Sequence, residues 1–473
     1  MSPAKNRRRM KMLLKNARIV GPGESFQGDC LVDGEKVAAV GLNLSGMESS
    51  SCRVLDCTGK WLLPGAVDAH VHLEMPFMGT VSQDDYETGT RCAVAGGTTT
   101  VIDFCLPAQD QSLLDALEVW NGKSHQKAYC DYSYHMAVTH WDDSVKREIK
   151  EVFERGVTSF KVFTAYKGAL MIPDEAIFDL MQTVRGLGGL VTAHAVNGDV
   201  LNSMASSFAA EGKLSTHYHP LCQPPVAEGE ATGRILQLGH LADQPTYIVH
   251  MTCWEALEEL SRARLKGWAS LGETCPQYLI LDDSVYDLPN FEGAKYVLSP
   301  PIRKKADQQA LWGALANGII QTVGTDHVTF NFKGQKDLGR EDFRLIPNGL
   351  NGLEERLSLL YTYGVAEGRI TENRWVEVCC TNPAKLFGLY PRKGIIAPGA
   401  DADLVIFDPT RNSTISAQTH HSKCDSNVYE GFSLSGSPSH VFVRGHLSFE
   451  DGEFKGERGR GQFLPRTQAG GPL

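Results

Sequence analysis

Two histidines one residue apart, His70 and His72, stand in the run Asp68-Ala69-His70-Val71-His72. If Ala66–Val71 is a strand, its period of two turns both imidazoles to one face. Two imidazoles on one face at a strand end can grip one metal ion. The pair is weak evidence alone, because the chain holds 15 histidines. It gains weight from what falls at other strand ends. His194 follows Leu190–Ala193, His250 ends Tyr247-Ile248-Val249, and Asp326 ends Thr322–Thr325. Lys161 lies inside Ser159–Phe163 and is the odd member, since a protonated amine repels cations and cannot ligate. Taken singly, each has a plainer reading: a satisfied buried histidine, a capping aspartate, a lysine paired with a carboxylate. Together they form a metal-site pattern, provided one architecture gathers them.

Eight short apolar runs are candidate buried strands: Ala66–Val71, Thr98–Phe104, Cys130–Val138, Val157–Phe163, Gly189–Ala193, Thr246–His250, Trp268–Gly272 and Gln321–Thr325. Between them lie helical patterns. One opens at Ser112, another at Pro173 as a first helical residue, and others cover Trp254–Lys266 and Ala306–Asn317. Eight strand–helix repeats predict a parallel (β/α)8 TIM-like barrel over 64–389, with an open doubly wound sheet as the competing topology. In a barrel the C-terminal strand ends share one rim, so ligands scattered along the chain meet in one pocket. Residues 12–63 and 390–460 read as short strands around turns such as Asp33-Gly34 and Asp451-Gly452. Neither end is large enough for its own core, so both are assigned to one discontinuous β-sandwich. Residues 461–473 are expected to form an extended arm.

Bulk properties exclude other classes. A net charge of -10 argues against nucleic acid as a partner. No apolar run approaches the roughly 20 residues that cross a bilayer. The basic start (Lys5, Arg7, Arg8, Arg9, Lys11) lacks an apolar run behind it, so it reads as a solvated terminus rather than a secretory signal. The 12 cysteines include no C-x-x-C pair, which fits reduced thiols in a cytoplasmic protein.

These motifs resemble the dihydropyrimidinase and D-hydantoinase branch of the amidohydrolase superfamily, over about Leu13 to Phe463. The stretches that carry the resemblance include LLPGAVDAHVHLEMPF (62–77), TSFKVFTAYKG (158–168), GETCPQYLILD (272–282), KYVLSPPIR (295–303), TVGTDH (322–327) and PNGLNGLEER (347–356). The resemblance implies two zinc ions per subunit. His70, His72 and Asp326 would bind one and His194 and His250 the other. Lys161, as N6-carboxylysine, would bridge both. It also implies substrate contacts by the Tyr166 hydroxyl and by the main chain of Ser299 and Asn348, with Asp326 moving the proton and a hydroxide shared by the zincs as nucleophile. A homotetramer is usual in such families. Val196, Val328, Thr329 and Ala69 depart from the usual residues, and none is an expected ligand.

Charge narrows the substrate. Relatives that take anionic rings place an Arg just after H-x-H. Here Glu74, Met75 and Phe77 follow instead, so an anion would find no partner and a neutral ring fits. The expected reaction is hydrolytic opening of neutral dihydropyrimidines or 5-substituted hydantoins to N-carbamoyl amino acids. The alternatives are another cyclic amidohydrolase, such as an allantoinase, or a non-catalytic relative. The filled set of ligand positions argues against the latter.

Overall fold

The computed structural model describes residues 11–47, 52–109 and 111–467. The basic start up to Met10 lies outside the described residues. Eight parallel strands run in sequence order around a barrel: β1 (Ala66–Val71), β2 (Thr98–Cys105), β3 (Asp131–Ala137), β4 (Ser159–Phe163), β5 (Leu190–His194), β6 (Thr246–Ile248), β7 (Ser270–Thr274) and β8 (Thr322–Val323). Strands β1 to β6 are buried along their whole length, as expected of strands covered on both faces. The circle closes between the first and last strands just beyond β8. Asp326 N donates to His70 O at 2.9 Å, His72 N donates to His327 O at 2.8 Å, and Val71 bridges His327 in parallel. The open doubly wound topology is thereby excluded.

Local chemistry sets the helix starts around the barrel. Asp85, Ser112, Asp142 and Asn197 each accept hydrogen bonds from the first free N–H groups of the helices they precede. Pro173 sits one place earlier than expected. It precedes Asp174–Leu187 with extended φ and ψ, because the first helical residue is Asp174.

The two chain ends meet in one continuous nine-stranded sheet. Trp61–Pro64 is its seam, pairing in parallel with Lys11–Val20 on one side and antiparallel with Leu404–Thr414 on the other. A separate core that includes Met12, Leu14, Ile19, Leu62, Leu404 and Phe442 lies within this sheet. The expected turns are present, with Gly34 at φ 63° and Gly452 at φ 94°.

A buried charge cluster fastens sheet to barrel. Lys393 Nζ lies 2.6 Å from Asp131 at the start of β3 and 3.0 Å from Asp401, and it also donates to Asp403. Arg444 pairs with the other oxygen of Asp131. Three carboxylates that could hold a cation therefore already hold the lysine ammonium. The last described residues run beside β3, where Leu464 N donates to Tyr132 O at 2.7 Å, and on to the turn before β4, where Arg466 N donates to Gly156 O at 2.9 Å. All 12 cysteines are unpaired thiols, and Cys379 and Cys380 pack in the core. Among the described residues no helix is long and apolar enough to cross a membrane.

Candidate metal centre and substrate pocket

The rim at the C-terminal ends of the strands gathers all six expected ligands around one cavity: His70, His72, Lys161, His194, His250 and Asp326. His70 is the penultimate residue of β1, and His72 lies one residue beyond the strand, so strand alternation brings both to the same side. Their Nε2 atoms each lie 3.1 Å from Asp326 Oδ1. Those three donors form one group that can hold a metal ion. Across the cavity His194 Nδ1 and His250 Nε2 approach to 2.9 Å. The two groups adjoin, with the His70 and His250 rings stacked at 5.5 Å between centroids.

The backbone is bent to aim these groups. His250, Asp326 and Tyr166 have φ of 39°, 52° and 63°. Non-glycine residues seldom adopt this left-handed region, and it clusters where a surrounding framework holds reactive groups in place. His250 and Asp326 thus point inward from positions just past β6 and β8.

Burial and neighbouring charge set the protonation states. Burial drives His72 down to about 4 and His194 to about 3, and holds His250 well below the usual imidazole range. These rings are therefore neutral and carry free lone pairs at pH 7. Burial pushes His70 the same way, but the carboxylates of Glu273 and Asp326 reverse the effect and raise it to about 9. A bound cation would have to displace that proton. Asp326 stays anionic, because His70 and His72 outweigh its burial. Burial lowers Lys161 to about 8 against the pull of Asp326 and Glu273. Its Nζ lies 4.8 Å from the Phe104 ring centroid, and its side chain is 1% exposed. Three neutral imidazoles, a fourth that offers its lone pair once its proton is displaced, and a carboxylate form a donor set that suits zinc.

Met75, Phe77, Phe163 and Leu170 form an apolar wall of the same cavity, and Tyr166, Ser299 and Asn348 face it from the polar side. Burial raises the Tyr166 phenol to about 12, with the polar groups of Ser299 and Asn348 pulling against it. The hydroxyl therefore keeps its proton at neutral pH and remains a donor. Apart from Lys161 the cavity lining contains no lysine or arginine. Glu74 faces away, 3.9 Å from Lys127, while its carbonyl accepts from Lys123.

Sequence reasoning missed Glu273. Fully buried in β7, it accepts from His70 Nδ1 at 2.6 Å, from the Tyr247 hydroxyl at 2.8 Å and from His250 N at 3.2 Å. Its signals in the sequence are an acid inside an otherwise uncharged strand and its place in the stretch GETCPQYLILD (272–282) that carries the family resemblance. The unusual residues fall into place. Val328 lines the cavity, and Thr329 accepts from Asp84 N and donates to its carboxylate. Val196 N donates to Thr164 Oγ1, and its carbonyl accepts from the same hydroxyl.

Residues 61–448 match the Amidohydrolase family. A D-hydantoinase of Geobacillus stearothermophilus is 47% identical over 98% of both chains. The dihydropyrimidinase of Rattus norvegicus is 40% identical over 96% of this chain and 89% of its own. This chain belongs to the dihydropyrimidinase and D-hydantoinase branch of the amidohydrolase family. Among solved structures, dihydropyrimidinase from Brevibacillus agri NCHU1002 superposes with a TM-score of 0.95 at 47% identity, covering 97% of this chain and 100% of that one. Family membership over nearly the whole chain thus coincides with a rim that brings together every ligand position the motifs suggested.

Proposed function

We propose that the protein is a zinc-dependent cyclic amidohydrolase that opens neutral dihydropyrimidine or 5-substituted hydantoin rings to N-carbamoyl amino acids. The observation that carries this reading is the single cavity in which six potential ligands adjoin an apolar wall of Met75, Phe77, Phe163 and Leu170. His70, His72 and Asp326 would hold one zinc, and His194 and His250 the other. Lys161, as a carbamate formed from its neutral amine and carbon dioxide, would bridge them. When bound, the two metals supply an acidified water and a Lewis acid for the carbonyl.

The protein groups account for the rest. The Tyr166 hydroxyl donates to the ring carbonyl oxygen as it gains negative charge. Main-chain groups of Ser299 and Asn348 hold the ring amide in register. Asp326 accepts the proton from the attacking water and returns it to the ring nitrogen as the C–N bond breaks. The carbonyl carbon leaves as a carboxylate and the nitrogen as the amide of a carbamoyl group. Phe77, Phe163 and Leu170 surround the ring substituent, and they favour hydrogen or an apolar group there.

Metal analysis of the pure protein beside hydrolysis of dihydrouracil, 5-substituted hydantoins, allantoin and dihydroorotate tests the proposal. Two zinc ions per chain and turnover of the first two substrates support it. Turnover confined to allantoin or dihydroorotate, or no bound metal, overturns it.

A further inference from the structure

The buried carboxylate of Glu273 has no part in the chemistry above, yet it touches both halves of the metal centre. Oε1 accepts from His70 Nδ1 at 2.6 Å and from the backbone N of His250 at 3.2 Å. Oε2 accepts from Tyr247 Oη at 2.8 Å, and that hydroxyl also lies 2.5 Å from Thr322 Oγ1. We infer that Glu273 is the positioning residue of the metal centre: it fixes the His70 ring with Nε2 toward the first metal and ties the His250 corner, at the second, to the same anchor. The inference rests on the metal-binding reading and deepens it.

Three observations support this assignment. A proton on Nδ1, donated to a carboxylate, leaves Nε2 as the lone-pair nitrogen and makes it a stronger ligand. Nε2 is the atom that faces Asp326. His70 is also set apart from its companions. Among the described residues His72 Nδ1, His194 Nε2 and His250 Nδ1 have no hydrogen-bond partner, so no carboxylate orients those rings from behind. Finally, the neighbouring strand makes room for the pair. A Cβ on Gly324 would lie 2.7 Å from Glu273 Oε2 and 2.9 Å from His70 Cβ. The glycine after β8 lets the chain pass directly over the Glu273–His70 contact, where any side chain would push it apart.

The test is zinc affinity measured by chelator competition on the full chain, together with the visible spectrum of the cobalt-substituted protein. E273Q keeps the size of the side chain and removes its charge. It is expected to hold one metal about 10–100-fold more weakly than the wild type and to shift the cobalt bands. G324A keeps the carboxylate's charge but displaces it, and it should weaken the same metal. Y247F removes only the donor on Oε2 and should have the smallest effect of the three. A folded E273Q or G324A with wild-type affinity at both sites and an unchanged cobalt spectrum overturns the assignment while leaving the metal centre standing. A wild-type protein that binds no zinc instead overturns the metal-binding reading, and this assignment with it.

Discussion

Lys161 offers a test in which pH, rather than mutation, is the perturbation. Only a neutral amine adds carbon dioxide, and burial lowers this one from 10.5 to about 8. At pH 7 an amine with that pKa is about 10% neutral, roughly 300-fold more than an unperturbed lysine. The lowered pKa means that the neutral form gains as pH rises and saturates above pH 8. Protein stripped of metal and decarboxylated in mild acid should therefore regain activity with zinc and carbon dioxide at a rate that climbs close to tenfold from pH 6 to 7. The climb should flatten between pH 8 and 9. Dissolved carbon dioxide must be held at fixed partial pressure, because bicarbonate speciation otherwise masks the trend. Mass spectrometry under non-denaturing conditions follows the mass added to the chain alongside activity. The mass gained from carbon dioxide before zinc is added separates this step from loss of the His70 proton near 9, and a carbamate yield still climbing tenfold per unit through pH 9 would refute the argument that burial prepares this lysine. Recovery that ignores carbon dioxide would refute the carbamate itself.

Other expectations follow from individual contacts. Tyr166→Phe removes the donor to the developing oxyanion, so kcat should fall about 10²–10³-fold with little change in KM; steady-state kinetics decide. Lys393→Met leaves Asp131, Asp401 and Asp403 facing one another without their shared ammonium. It should cost about 3–5 kcal/mol in denaturant unfolding while zinc content per folded chain stays constant. Phe77→Ala with Leu170→Ala should alter the ratio of kcat/KM for bulky hydantoins over dihydrouracil by about 10-fold, a pocket-packing effect. An unchanged ratio would remove both residues from the substituent pocket.

The barrel and its ligands were legible because two periodicities agree there. Alternation placed His70 and His72 on one face, and the repeat of strand and helix placed their companions at one rim. Only the strand lengths drifted, with β8 reduced to Thr322–Val323 because the chain bends early to aim Asp326. Glu273 was not legible, since an acid in a buried strand has no partner visible in sequence; its histidine lies 203 residues away. The same holds for Asp84, whose carboxylate accepts from Ser422 Oγ and Lys423 N across more than 330 positions. At the chain ends, turn chemistry predicted the hairpins, but the pairing of Trp61–Pro64 with Leu404–Phe407 depends on packing that no local pattern encodes.

That seam strand has consequences for biosynthesis. Pro64 emerges from the ribosome long before Leu404, its partner 340 positions later. Until then the outer edge of Trp61–Pro64, with Leu62 and Leu63 beside it, has backbone groups without their native partner. The nascent barrel must fold while tethered to an incomplete sheet, a state open to strand exchange between neighbouring chains on the same message. Yield on overexpression should therefore respond to chaperone supply and growth temperature more than the finished protein's stability would suggest.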